Sequence, residues 1–179
     1  MKVLYLMTPR PCSHDFGVDY LYHGLCTVLG HANVLPWPEN ESLHATPNRQ
    51  LCSVCEVDGY DSDQEWPRRG HDISDALREC DIAIIATQPG DMVMREFAGL
   101  LRDGWPANKP VIGYDSSDGM LNEAGDTALG YFRYLAGRPL SLMFKREIPI
   151  GDQWALPLPL GYPAAYAPTG AISKEVGIF

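Results

Sequence analysis

The chain has 179 residues, 45% hydrophobic and 21% charged, which is enough apolar material for one globular domain. Acidic side chains outnumber basic ones, and the net charge of -9 at pH 7 repels phosphate backbones, so we expect no nucleic-acid partner. The first apolar run is too short for a secretory signal, and no run approaches the roughly 20 residues of a membrane span. We therefore expect a cytoplasmic protein with no membrane span.

The first elements along the chain alternate between strand and helix. Residues 2–7 (KVLYLM) form an apolar run that predicts a buried strand. A helix follows, on which four apolar residues recur at helical spacing: Leu21, Leu25, Val28 and Leu29. Asp19 is its expected cap and Gly30 its expected stop. Residues 33–35 predict a second strand, closed by Pro36 and Pro38.

Residues 37–70 show no sustained periodicity and predict an irregular insertion, which is uncommon inside a compact domain and usually functional or mobile. The insertion contains Cys52 and Cys55 in a lone CxxC, with His44 and His71 close enough in sequence for a zinc site. Two reduced thiols in a loop are the favoured interpretation, because the five cysteines are odd in number and scattered. Cys26 and Cys80 sit among apolar residues and predict small core side chains.

Regular patterning returns at residue 72. A short helix is predicted there, and residues 81–87 (DIAIIAT) form a continuous β-branched run typical of a strand covered on both faces. A helix ending at Gly104, a strand at 110–114, a helix at 121–136 and a strand at 140–144 follow. Strands alternating with helices predict an α/β fold, Rossmann-like and doubly wound, with a mostly parallel sheet and helices on both faces.

Polar residues cluster directly after the first predicted strand. Arg10, Cys12, His14, Asp15 and Asp19 lie within ten residues of one another. A histidine oriented by a carboxylate is a usual general base, so His14 with Asp15 or Asp19 is the candidate catalytic pair. The alternative is that Asp19 only caps the helix and His14 is a solvated loop residue.

A second polar cluster follows the strand at 110–114. Asp115, Ser117 and Asp118 combine carboxylates and hydroxyls at a spacing that suits recognition of sugar hydroxyls or a divalent ion. The alternative is a turn that starts the next helix.

A third cluster follows the strand at 140–144. Lys145 and Arg146 could hold a phosphate or carboxylate, since a guanidinium binds such groups with two parallel hydrogen bonds. The alternative is an internal ion pair with Glu147 or with Asp115. Signatures of P-loop proteins, dinucleotide-binding folds, GxSxG hydrolases and HExxH metalloproteases are missing from the sequence.

Four segments together resemble the amino-terminal domain of a glycosyltransferase-like family of GT-B architecture, which includes spore-coat CgeB-like proteins and glycosyltransferase family 1 or 4-like proteins. They are DYLYHGLCTVLG (19–30), VIGYDSSD (111–118), FKREIP (144–149) and LPLPLGYP (156–163). The resemblance implies sugar transfer from a nucleotide-sugar donor to a sugar or glycosylated acceptor, with no cofactor and no obligatory metal. This domain would hold the acceptor.

Within that resemblance, His14 or Asp15 is the candidate base, and the other polar residues bind substrate: Arg10, Asp19, Asp115, Ser117, Asp118, Lys145 and Arg146. Residues 1–172 would form the domain, and residues 173–179 resemble the start of a second domain that carries the donor site. The chain alone is then expected to be inactive. The alternative is a non-catalytic Rossmann-like binding or assembly module, whose partner is a second domain or another copy of the chain.

Overall fold

The computed structural model describes residues 1–7, 16–38, 73–87, 95–116, 132–145 and 155–158. Within these ranges, six parallel strands form one sheet in the order β2-β1-β3-β4-β5-β6. The strands are β1 (Val3–Met7), β2 (Val34–Trp37), β3 (Ile82–Thr87), β4 (Val111–Asp115), β5 (Leu142–Lys145) and β6 (Leu156–Pro157). Most of the predicted insertion at 37–70, the start of the predicted helix at 121–136 and the tail at 173–179 lie outside the described residues.

Helices cover both faces of the sheet, as the alternation of strands and helices predicted. The helices are α1 (Phe16–Leu29), α2 (Ile73–Glu79) and α3 (Arg95–Gly104), with a 3₁₀ turn at His31–Asn33 and a helical segment at 132–136. Residues of α1 share a core cluster with one face of the sheet, whereas residues of α2, α3 and segment 132–136 share a cluster with the other. The α/β, Rossmann-like, doubly wound fold is therefore confirmed.

The strand residues divide between the two clusters with the two-residue period of a pleated sheet. In β3, Ile84 and Ala86 pack on the α1 face, while Ala83 and Ile85 pack on the α2–α3 face. Nearly every residue of β3 is buried, because it lies between β1 and β4 and has helices on both sides. The continuous apolar pattern of residues 81–87 reflects this central position.

Helix α1 faces the sheet with a side that partly matches the predicted one, since Leu21, Leu25 and Leu29 pack half-buried against the cluster on that face. Its fully buried residues are Val18, Asp19, Tyr22, His23 and Cys26. Val28, assigned to the apolar stripe from the sequence, is 81% exposed. The leucines therefore border the buried stripe, and its centre was missed because tyrosine, histidine and aspartate are buried here in positions that pattern analysis counts as polar.

The first predicted cap is also corrected. Helix α1 starts at Phe16, so Asp19 lies inside its first turn and not at the position that precedes the helix. The predicted stop is confirmed, since Gly30 has φ 83° and its N–H donates to the carbonyl of Cys26 at 2.8 Å. A glycine at this position adopts the left-handed conformation without a steric penalty.

Two strands differ from their predictions because of proline. Strand β2 continues through Pro36, the first of the two prolines expected to close it, and ends at Trp37 directly before Pro38. Among the described strands it pairs only with β1, at the edge of the sheet. An edge strand tolerates the missing N–H on its outer side. Strand β6 was not predicted at all, because two residues that include Pro157 carry no strand periodicity.

Candidate functional site

Three neighbouring strands end in polar residues at the same edge of the sheet. Because all strands run parallel, the carboxyl ends of β3, β4 and β5 lie side by side, and they end in Thr87, Asp115 and Lys145. Thr87 is the register partner of Asp115, which is the register partner of Lys145. The fold thus forms a lateral row of three polar residues from segments that are distant in sequence.

The centre of this row is a buried ion pair. The Nζ atom of Lys145 lies 2.8 Å from Oδ2 of Asp115, and the side chains of both residues are 0% exposed. A hydrogen bond between two ionised groups is shorter and stronger than one between neutral groups. The pair leaves the described part of the row electrically neutral, since one carboxylate meets one ammonium group.

Backbone hydrogen bonds extend the row in both directions. The N–H of Ser116 donates to the carbonyl of Thr87 at 3.3 Å, which fastens the exit of β4 to the end of β3. The N–H of Leu158 donates to the carbonyl of Lys145 at 2.9 Å, which fastens β6 to the end of β5. The hydroxyl-bearing residues Thr87 and Ser116 are themselves buried beside the ion pair.

Strand alternation assigns the row to one face of the sheet. Ala86, Tyr114 and Phe144 pack on the α1 face, so the residue after each of them points to the α2–α3 face. Thr87, Asp115 and Lys145 therefore share a side as well as an edge. Their common orientation is what allows the ammonium group and the carboxylate to meet.

Asp19 belongs to a different group of buried polar residues, on the opposite face. Its helix α1 packs over Tyr5, whose hydroxyl donates to the carbonyl of Val18 at 2.6 Å. The rings of Tyr5 and Tyr22 are 5.6 Å apart, and the ring of Tyr22 meets that of His23 edge-on at 5.3 Å.

On the same helix, burial raises the pKa of the Cys26 thiol to about 12. That thiol stays protonated at neutral pH and is a poor nucleophile. Cys26 and Cys80 are both free and buried, as their apolar surroundings predicted.

The structure places three of the nine predicted site residues. Asp115 and Lys145 come together, in the internal ion pair that was the alternative interpretation for Lys145. Asp19 lies on the other face. The remaining six lie outside the described residues: Arg10, His14, Asp15, Ser117, Asp118 and Arg146.

Sequence reasoning missed Thr87, although a signal for it was present. Thr87 is the one hydroxyl-bearing residue in the apolar run at 81–87, and it stands at the end of that run. In a parallel sheet, a polar residue that ends a buried strand lies at the edge where ligands bind.

In the ranges that the structure describes, no group of three or more His, Cys, Asp or Glu residues could hold a metal. None of the described helices is long and apolar enough to cross a bilayer.

Comparisons with known proteins add no relative: no protein-family model matches the chain, and neither a curated protein nor a solved structure matches it significantly.

Proposed function

We propose that the chain is the acceptor-side domain of a GT-B-type sugar-transfer enzyme and binds a sugar or glycosylated acceptor at the carboxyl edge of its sheet. The observation that carries the proposal is the row of Thr87, Asp115 and Lys145, which places polar side chains at the ends of three adjacent parallel strands. In open α/β sheets this edge is where ligands bind. The likeness of four sequence segments to that enzyme family supports the sugar as the ligand class.

The strand order supports a binding crevice at the same edge. From β1 the chain moves to β2 on one side and then returns to β3 on the other side. Neighbouring crossovers thus leave β1 and β3 in opposite directions, and this divergence opens a crevice in doubly wound folds. Thr87, at the end of β3, lies between this crevice and the ion pair.

The proposed reaction needs groups from two domains. An acceptor hydroxyl oxygen forms a bond to the anomeric carbon of a nucleotide-sugar, while the bond from that carbon to the nucleotide diphosphate breaks. The hydroxyl proton passes to a base, for which His14 or Asp15 is the candidate. The nucleotide-sugar is held by a second domain, so this chain alone binds acceptor and does not turn over.

Binding is tested by saturation-transfer NMR on the purified chain. The probes are a set of neutral mono- and disaccharides, UDP-glucose and GDP-mannose, with UDP and GDP as controls for the nucleotide alone. We expect saturation on sugar ring protons and a stronger response to neutral sugars than to UDP or GDP. An absence of transfer to every sugar at millimolar concentration contradicts the proposal.

A second candidate function is a non-catalytic binding or assembly module. The favouring observation is that Asp115 and Lys145 are buried and engage each other, an arrangement that builds a scaffold as readily as a reaction centre. Light scattering after size exclusion separates the two functions. A defined oligomer that binds no sugar supports the assembly module, and a sugar-binding monomer supports the acceptor domain.

A further inference from the structure

The Asp115–Lys145 ion pair has a place in the fold that stability alone does not explain. Its two residues end neighbouring strands, are register partners and have fully buried side chains. Moving two charges out of water costs roughly what their attraction returns, so a buried pair often stabilises no better than apolar side chains of similar size. A role in selecting one alignment of the strands over another explains the pair better than stability does.

The register of β5 against β4 is what this pair can specify. Strand β5 has only four residues. A slip of two positions would keep every side chain on its own face, because the pleat repeats every two residues. Apolar packing opposes such a slip at one place, since Met143 packs where a side chain on Gly113 would lie. The ion pair discriminates strongly, since the slip moves Lys145 opposite Gly113 and separates the buried ammonium group from its carboxylate.

The same register determines where the ends of β5 and β6 lie along the carboxyl edge. Ser116 follows Asp115 directly and is bound through its N–H to Thr87. On the other side, Lys145 is bound through its carbonyl to Leu158 of β6. Holding Asp115 opposite Lys145 thus keeps the ends of β5 and β6 level with those of β3 and β4.

We propose that Asp115 and Lys145 are positioning residues that do not contact the ligand. Their ion pair selects the register that holds the ends of β5 and β6 level with Thr87 and Ser116 at the carboxyl edge. This inference rests on the proposed function in one respect, which is that the edge is the ligand site. It changes the role that the sequence predicted for both residues, from substrate binding to the placement of their neighbours.

The test replaces both charges with apolar side chains in the variant Asp115→Leu/Lys145→Met. Cross-strand nuclear Overhauser effects between Gly113 and Met143, register partners in the wild type, report the alignment without any ligand. We expect the variant to fold and to show a second set of cross-strand contacts from the slipped register. A single native set in the folded variant overturns the inference.

Two further variants keep the test decisive. The reversed pair Asp115→Lys/Lys145→Asp restores attraction between the two positions and is expected to show one register. If the apolar variant does not fold, the reversed pair decides, because a mixed register or unfolded chain there contradicts the inference. Lys109→Met removes a cation at the opposite edge and is expected to leave the Gly113–Met143 contacts unchanged.

The ligand experiment separates this inference from the proposed function. Where the wild type binds a neutral sugar, we expect the apolar variant to bind it about tenfold more weakly and Lys109→Met to bind it equally well. A wild type that binds no sugar contradicts the proposed function alone, since the ligand-free register comparison still decides the role of the pair.

Discussion

The two edges of the sheet provide different kinds of hydrogen-bond partner for a lysine side chain. At the carboxyl edge, Lys145 meets a carboxylate on the adjacent strand, and both side chains are fully buried. At the amino edge, Lys109 meets backbone carbonyls at the end of a helix, with its Nζ atom 2.7 Å from the carbonyl oxygen of Arg78 and 2.6 Å from that of Cys80. The first arrangement links two strands, and the second closes a helix.

The amino edge holds a second cation of this kind, at the end of α3. The guanidinium of Arg138 donates to the carbonyls of Pro106 at 2.8 Å, Leu101 at 3.2 Å and Trp105 at 2.5 Å, where α3 ends. Cations at helix carboxyl ends satisfy carbonyls that lack a helical partner and oppose the negative end of the helix dipole. The amino edge therefore uses its cations to close helices, whereas the carboxyl edge joins two strands through a buried ion pair.

The largest expected effect comes from breaking the pair at the carboxyl edge. Lys145→Met leaves the Asp115 carboxylate buried without its ammonium partner, so we expect the free energy of unfolding to fall by about 3–5 kcal/mol. Urea denaturation followed by circular dichroism measures the loss. Asp115→Leu/Lys145→Met is the matched control, and we expect it to recover most of the stability. An equal loss in both variants would show that packing, not charge, accounts for the effect.

A smaller effect is expected at the amino edge. Lys109→Met keeps an apolar stem beside Trp105, whose ring centroid lies 5.3 Å from the Nζ atom, but removes the donors to the end of α2. We expect a loss of about 1–2 kcal/mol, because carbonyls near the chain surface regain water. The same urea titration measures it. A loss as large as that of Lys145→Met would remove the contrast between the edges.

The dependence of stability on alkaline pH tests the burial of the Cys80 thiol, which lies next to the end of α2. Burial raises the pKa of the Cys80 thiol to about 11, from 9.0, although Lys109 opposes the shift. Above about pH 9 the unfolded chain releases this proton while the folded chain retains it, so stability falls as pH rises towards 11. We expect about 1 kcal/mol less stability from this thiol one pH unit above 9.

Cys80→Ala is the variant that isolates the contribution of this thiol. Its free energy of unfolding, measured in urea across the alkaline range, is expected to fall less steeply with pH than that of the wild type. Identical slopes for the two proteins would contradict a buried, protonated thiol.

The smallest effect is expected at the surface of the amino edge. Lys2 forms an exposed ion pair with Glu79, with Nζ 2.6 Å from Oε2, and the pKa of Lys2 is raised chiefly by that hydrogen bond. The stabilisation is present below the usual lysine pKa and is lost as pH rises through the raised value. Solvent and salt screen such pairs, so we expect Lys2→Met to leave the thermal midpoint unchanged at physiological salt. A large, salt-independent decrease would contradict this assignment.

The sequence predicted the fold where apolar runs were continuous or regularly spaced. The run at 81–87 identified β3, and the polar residues after residues 114 and 144 marked the carboxyl edge correctly. Leucine spacing indicated only the border of the side of α1 that faces the sheet, because Asp19, Tyr22 and His23 are buried through contacts that a pattern does not encode. Strand β6 is too short for any period to appear.

The sequence predicted that charged residues lie at this edge, but it did not predict which of them form a pair. Asp115 and Lys145 were each candidates from their place after a strand, yet their sequence separation of 30 residues gave no reason to prefer this partner over Glu147. Register decided the outcome, since it places the two residues opposite each other on one face. Register depends on the whole sheet and is not a property of either segment.

The most direct test of the carboxyl edge as the ligand site is chemical-shift mapping of the ¹⁵N-labelled chain with the sugar that gives the strongest saturation transfer. The account predicts that the amide signals of Thr87 and Ser116 move with ligand concentration, while those of Gly104 and Arg138 at the opposite edge do not. Shifts confined to the amino edge, or no shift at millimolar concentrations of any sugar, would contradict it.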